Sequence, residues 1–307
     1  MHYLVTGGCG FIGSYLVREL LSQKHQVTVL DDLSMGNREA LPNGATLVVG
    51  DILDESLMLK VMGEGVDGCF HLAAIPSVER CSKEWYRTSE VNVLGTISVF
   101  EAARKAATKP IPVVYASSAA VYGPDHPESI RETNAVSPIS SYGVDKYVCE
   151  QYARVAWRNY GLPTVGLRLF NVYGAGQPKN SPYSGVITCF VSAFEQKVPI
   201  TIFGDGEQTR DFIYVEDVAN AFIGAMHMLG KSADIFNVCT GKTHTLMDIA
   251  RIMAEIYGVE ANFDFQPART GDIRHSCGNP DKLLSAVSIP AMRSVKDGLA
   301  EMLRRAV

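Results

Sequence analysis

The most constraining stretch stands at the start of the chain. A short apolar run, His2-Tyr-Leu-Val-Thr6, enters Gly7-Gly-Cys-Gly10-Phe-Ile-Gly13, and Phe11, Ile12, Leu16, Leu20 and Leu21 then recur at helical spacing. Strand, glycine turn and helix in that order open a βαβ unit. Glycines at 7, 10 and 13 let the backbone turn tightly and let a pyrophosphate approach the helix N-terminus, where unpaired N–H groups favour an anion. Glycine also serves ordinary turns, so the spacing draws its value from the strand before it and the helix after it.

The second strand, Gln26 to Leu30, ends in Asp31-Asp32. An acid about 20 residues beyond the glycines is placed to accept hydrogen bonds from an adenosine ribose, and it repels a 2′-phosphate. The cofactor expected is therefore NAD. A third strand from Thr46 leads to Asp51 and Ile52, where an adenine would lie, and a fourth from Asp67 ends in Leu72, Ala73 and Ala74, small enough for a cofactor to approach. Glu84 to Ala107 reads as one long helix with Val91, Leu94 and Phe100 inward and Asn92 as its polar exception. Ile111 to Ala116 is a fifth strand that breaks into Ser117-Ser118, and a sixth runs from Thr164 to Phe170 and Asn171. Strands alternating with helices at this spacing predict an α/β fold, a doubly wound parallel (Rossmann) sheet that binds ligands at its strand carboxyl ends. The expected NAD site thus comprises Gly7, Gly10, Phe11, Ile12, Gly13, Asp31, Asp32, Asp51 and Ile52, with Leu72, Ala73, Ala74, Asn92, Ser117 and Phe170 nearer the reacting end.

Beyond Val172 the pattern is broken by Gly174, Gly176, Pro178 and Pro182, with a helix near 186–196 and a short strand at 200–203. The expected division is a dinucleotide-binding domain over 1–171 and a smaller substrate-binding domain over 172–307, with segments near 215–240 returning to the first. Arg210, Arg269 and Arg274 are the cations to aim at a diphosphate, because guanidinium grips phosphate in a bidentate fork.

Between the fifth and sixth strands lies Ser-Ser-Tyr142-Gly-Val-Asp-Lys146. Residues four apart share a helix face, so the Lys146 ammonium can sit beside the Tyr142 phenol and favour its ionised form. Such a pair also arises by chance on solvated helices. Its place among strand-end glycines, acids and serines raises it to a candidate acid/base pair, with Lys146 expected to lower the Tyr142 pKa.

Bulk properties narrow the class. The formal net charge of −5 comes without a basic block, against a nucleic-acid partner. No apolar run approaches membrane-spanning length. Seven scattered Cys without paired spacing point to reduced thiols, and the entry into a strand at His2 predicts no signal peptide; a cytoplasmic protein is expected. No His or Cys cluster has ligand spacing, so no metal is expected.

Taken in order, the glycine turn, Ser118-Ala-Ala-Val-Tyr-Gly123, Tyr142-x-x-x-Lys146 and Arg210-Asp-Phe-Ile-Tyr-Val215 resemble the extended short-chain dehydrogenases/reductases. More narrowly, they resemble the UDP-glucose and UDP-N-acetylglucosamine 4-epimerases, over nearly the whole chain. The resemblance implies catalysis by Ser118, Tyr142 and Lys146, and a UDP-sugar held by Ser77, Ser118, Tyr142, Asn171, Val186, Phe203, Arg210, Arg269, Asp272 and Ser276. It also implies a homodimer that pairs two long helices per subunit. In the family a bulky residue at the Ser276 position closes the pocket against N-acetyl groups, so serine implies an open one. Related dehydratases and UDP-glucuronate decarboxylases carry an acid just after the catalytic hydroxyl residue; here Ala119 and Ala120 stand there. Uronic-acid 4-epimerases tend to have Thr in place of Asn171 and an added Arg near Gly176. A dehydratase, a uronate epimerase and a non-catalytic NAD-binding regulator remain the alternatives.

Overall fold

His2–Thr6 (β1) and Phe11–Ser22 (α1) form the strand–turn–helix read from the sequence, and Gln26–Asp31 (β2) returns parallel to β1. The computed structural model describes residues 1–124, 126, 129–178, 185–228, 233–268 and 273–306. Thr46–Val49 (β3), Glu55–Met62 (α2) and Gly68–His71 (β4) follow, then two short helices, Val78–Lys83 (α3) and Trp85–Ser89 (α4). Gly95–Lys105 (α5), Val113–Ser118 (β5), Ser141–Tyr160 (α6) and Thr164–Leu169 (β6) continue the alternation. Asn171–Tyr173 (β7), Val186–Gln196 (α7), Ile200–Phe203 (β8), Thr209–Arg210 (β9) and Phe212–Tyr214 (β10) leave it. Val215–Met228 (α8) and Ala233–Val238 (β11) rejoin it, and His244–Thr245 (β12), Leu246–Tyr257 (α9), Phe263–Gln266 (β13) and His275–Ser276 (β14) precede two C-terminal helices.

The main sheet has seven parallel strands in the order β11-β6-β5-β4-β1-β2-β3. Alternate side chains of β1 enter different layers: Tyr3 and Val5 pack with Leu16, Leu20 and Phe222 of α1 and α8, whereas Leu4 packs with Met58, Val61 and Val99 of α2 and α5. Burial on both faces explains why the strands read as apolar runs without polar alternation. Because β2 and β4 leave β1 on opposite sides, a crevice opens at the carboxyl ends of β1 and β4. The smaller sheets pair β10 with β7, β13 with β8, and β12 and β14 with β9.

α6 is bounded by local chemistry. The Ser140 side chain accepts from Gly143 N at 3.1 Å, and the helix stops at Gly161 in the left-handed conformation, φ 65°.

The long helix expected over 84–107 is broken. α4 and α5 are joined by a π-type turn at Glu90–Leu94, which adds a residue to the spiral and rotates the face presented by α5. Leu94, expected inward, is 54% exposed, while Phe100 is buried. Asn92 sits at the centre of the turn, where its amide is buried rather than facing solvent.

Candidate active site

The crevice is a cleft of ≈ 510 Å³ at the β1/β4 switch point. Its walls include Gly7, Gly10, Phe11, Ile12, Gly13, Asp31, Asp32, Asp51, Ile52, Leu72, Ala73 and Ala74 at one end. Ser77, Ser117, Ser118, Tyr142, Lys146 and Phe170 line the rest. Two of the glycines are required by close approach. Gly7 has φ +72° and a Cβ there would lie 2.6 Å from Ala73 N; a Cβ on Gly13 would lie 2.1 Å from Gly7 O. Gly10 caps α1 without a side chain, so the helix N-terminus opens onto the cleft.

At the other side of that turn, Asp31 is nearly fully buried and accepts from Cys9 N and Leu33 N, each at 2.9 Å. Burial pushes its carboxyl above the usual carboxylate value, and those two N–H groups pull it back. Asp32 accepts from Ser34 N at 2.9 Å and Ser34 Oγ at 2.7 Å. Asp51 accepts from Leu53 N at 2.9 Å and lies 3.8 Å from Arg87 Nη2. Glycine cradle, helix N-terminus and paired acids at the end of β2 are the donor and acceptor set that an adenine dinucleotide requires, so the residues present fit NAD.

The reacting end is built by α6 against β5. Tyr142 and Lys146 lie one turn apart on the cleft-facing side, with Lys146 Nζ 5.8 Å from the Tyr142 ring centroid. Lys146 Nζ donates to Ala116 O at 2.9 Å, and burial holds its pKa below the ordinary lysine value. The Ser118 Oγ accepts from Ala120 N at 3.1 Å as β5 ends. The expected electrostatics differ in one respect. Burial pushes the Tyr142 phenol well above its ordinary value, and the opposing influence is the Ser118 hydroxyl beside it, with Lys146 not a leading cause. The four-residue spacing places the pair on one face, but desolvation outweighs the neighbouring charge.

Asn92, expected at the cofactor, is not on the cleft wall. Its Oδ1 accepts from Ile75 N at 2.8 Å and its Nδ2 donates to Ile75 O at 3.3 Å and Asp145 Oδ2 at 3.2 Å. It fixes the loop after β4 from behind. Of the substrate-side candidates, Ser77 lines the cleft, whereas Asn171, Val186, Phe203, Arg210 and Ser276 belong to the neighbouring segments. Asn171 Nδ2 donates to Asp211 O at 3.1 Å, and Ser276 is registered beside Arg210 in the β14/β9 pair. Arg274 is turned to Asp205 in a surface fork of 2.6 and 2.8 Å. Arg269 and Asp272 lie outside the described residues.

Arg80, Arg87 and Glu150 escaped the sequence reading. Arg80 and Arg87 line the cleft from α3 and α4, the short helices that follow β4. Glu150 is fully buried, accepts from Ser117 Oγ at 2.6 Å and receives Arg168 Nε and Nη2 at 2.9 and 2.7 Å. Its signal was the spacing Tyr142, Lys146, Glu150, one helical face extended by a further turn. Among the described residues, no cluster of three His, Cys, Asp or Glu side chains is placed to hold a metal.

Residues 3–239 match the model of the NAD dependent epimerase/dehydratase family. The chain belongs to that family. It is an NAD-dependent enzyme of the epimerase/dehydratase type. It is 37% identical over 272 residues to a putative UDP-glucose 4-epimerase of Methanocaldococcus jannaschii, covering 88% of this chain and 87% of that one. Its structure superposes on a UDP-glucose 4-epimerase of Thermotoga maritima, solved with UDP-glucose, with TM-score 0.94 at 33% identity, covering 100% and 99% of the two chains. A UDP-N-acetylglucosamine 4-epimerase of Methanobrevibacter ruminantium M1, solved with UDP-N-acetylmuramic acid, superposes with TM-score 0.93 at 34% identity, covering 99% and 97%. Like these epimerases, the chain carries an α/β sheet with seven parallel strands and flanking helices.

Proposed function

We propose that this epimerase/dehydratase family member inverts C4 of a UDP-sugar by transient oxidation to the 4-keto sugar, accepting the glucose/galactose pair, the N-acetylglucosamine/N-acetylgalactosamine pair, or both. The observation that carries the reading is the meeting of Ser118, Tyr142 and Lys146 on one wall of the dinucleotide cleft, with Ala119 and Ala120 following the serine. Elimination or decarboxylation in related enzymes uses an acid at those alanine positions, and a methyl group transfers no proton.

When bound, NAD⁺ would supply a reversible hydride acceptor and a positive charge to the cleft lined by Tyr142 and Lys146. Tyr142 takes the proton of the 4-hydroxyl during oxidation and returns it during reduction. Ser118 hydrogen-bonds the sugar O4 as it becomes the keto oxygen, stabilising the charge that develops there. Lys146, anchored to Ala116 O, holds the cofactor ribose and adds a fixed cation to the reacting end. Rotation of the keto sugar between the two half-reactions presents its opposite face, and net inversion follows.

The direct test follows UDP-glucose, UDP-N-acetylglucosamine and UDP-glucuronate by proton NMR with purified protein and no added reductant. The C4 epimer is the expected product. A 4-keto-6-deoxy or decarboxylated product would replace this reading with the dehydratase branch, and silence on every nucleotide sugar would favour a non-catalytic regulator.

Ser276 is registered beside Arg210 in the β14/β9 pair, and on this reading its small side chain leaves room for an N-acetyl group. Ser276→Tyr is expected to reduce kcat/KM for UDP-N-acetylglucosamine at least tenfold relative to UDP-glucose. Equal losses on the two would exclude Ser276 as the gate.

A homodimer accompanies this reading. Val144, Tyr152 and Val155 are exposed on α6 and Val148 is half-buried between them, a stripe on the side opposite Tyr142 and Lys146. Val155→Glu is expected to shift the mass measured by light scattering from dimer to monomer; an unchanged mass would place any dimer contact elsewhere. The seven free thiols support a cytoplasmic setting, which cell fractionation tests.

A further inference from the structure

Asp211 has no solvent exposure and no place on the cofactor cleft, yet every polar atom of its side chain is engaged. Its Oδ1 accepts from Thr240 N at 2.8 Å and Thr240 Oγ1 at 2.7 Å. Its Oδ2 accepts from Gly241 N at 2.9 Å and Gly278 N at 3.3 Å. Its backbone carbonyl accepts from both Asn171 N and Asn171 Nδ2, each at 3.1 Å. Two glycines make the convergence possible: Gly241 has φ +72°, and a Cβ on Gly278 would lie 2.4 Å from Cys239 Sγ. A carboxylate without this set of donors would be costly to bury.

The identity of the joined segments gives the arrangement its meaning. Asn171 is bonded directly, Arg210 is the preceding residue, and Ser276 stands two residues before Gly278. All three are the substrate-side residues that the described structure places outside the cofactor cleft near one another. We propose that Asp211 is the positioning residue of the nucleotide-sugar half of the site, holding Asn171, Arg210 and the Ser276 segment in one frame for the UDP moiety. The inference rests on the UDP-sugar reading above. Its bonds reach none of the residues that line the NAD cleft, so its removal should act on one ligand and spare the other.

In Asp211→Asn the new amide NH₂ faces N–H donors that the carboxylate accepted, and the frame loosens without a large change in volume. UDP binding by titration calorimetry is expected to weaken about tenfold, with a matching rise in KM for the sugar nucleotide. The kcat should stay within about threefold and the NADH affinity, read by fluorescence, should be unchanged. Thr240→Val, which removes one donor and keeps the side-chain shape, should weaken UDP about threefold in the same direction, and it decides the matter if Asp211→Asn does not fold. Wild-type UDP affinity in the folded variant, or equal losses of UDP and NADH affinity, would overturn the inference while leaving the functional reading intact. Failure of the unsubstituted chain to bind UDP would overturn both.

Discussion

Tyr142→Phe is expected to lower kcat by about 10³-fold while NADH binding stays within twofold of the unsubstituted enzyme. Phenylalanine keeps the ring beside Lys146 and the packing of α6, and removes only the hydroxyl that Ser118 faces. On the proposed mechanism that hydroxyl carries the 4-hydroxyl proton; Ala119 and Ala120, which follow Ser118, can carry none, and Lys146 Nζ donates to Ala116 O. The phenol is an unusual base. Burial raises its pKa, so proton transfer depends on charge brought into the cleft with the cofactor as well as on the Ser118 hydrogen bond. Pre-steady-state reduction of bound NAD, followed at 340 nm after mixing with UDP-sugar, separates the outcomes. The variant should show a slowed oxidation step with wild-type cofactor content. Turnover within tenfold of the unsubstituted enzyme would remove Tyr142 from the chemistry and direct attention to a different proton carrier.

The parts of this site that were readable in the sequence are those whose cause is local. The β1 strand, the Gly7–Gly13 turn and α1 lie within 21 residues of chain, His2 through Ser22, and the pairing of glycine with tight turn and helix N-terminus operates inside that window. The Tyr142–Lys146 spacing is likewise a property of one helix. What the window could not contain was burial. The four-residue spacing predicted a lysine that depresses a phenol, whereas the surrounding β5 and α6 packing desolvates both groups and moves them in the opposite sense. Leu94 followed a 3.6-residue period until the π turn at Glu90–Leu94 interrupted it, and Asn92 at the centre of that turn reaches across to Ile75 and Asp145, 17 and 53 residues away. Asp211 was passed over for the same reason. Its donors at Thr240, Gly241 and Gly278 are 29, 30 and 67 residues distant, so nothing near it in sequence announces a buried carboxylate.

Glu150→Gln is expected to destabilise the fold by about 3–5 kcal/mol, because it leaves the Arg168 guanidinium buried without its counter-charge. Arg168 is 2% and Glu150 0% exposed, and the pair is joined by two hydrogen bonds of 2.9 and 2.7 Å. For a chain of this size such a loss lowers Tm by roughly 5–15 °C, which calorimetry reads directly. The pair does more than hold two charges. Arg168 lies over the Tyr122 ring at 4.6 Å, Tyr122 OH donates to Asn237 Oδ1 at 2.6 Å, and Ser117 Oγ donates to Glu150 at 2.6 Å. Glu150 therefore ties the face of α6 that carries Tyr142 and Lys146 to the end of β5 that carries Ser117 and Ser118. Replacing both partners with apolar side chains, Glu150→Leu with Arg168→Met, tests which contribution matters. A buried ion pair exchanged for packed hydrophobes of similar volume often costs little, so much of the lost Tm should return in the double variant. The anchor on Ser117 does not return, and kcat should remain about tenfold or more below the unsubstituted value because Ser118 is no longer held in register with Tyr142. Recovery of both Tm and kcat would mean that the pair only stabilises the fold; recovery of Tm alone would show that α6 is aligned to β5 by this carboxylate.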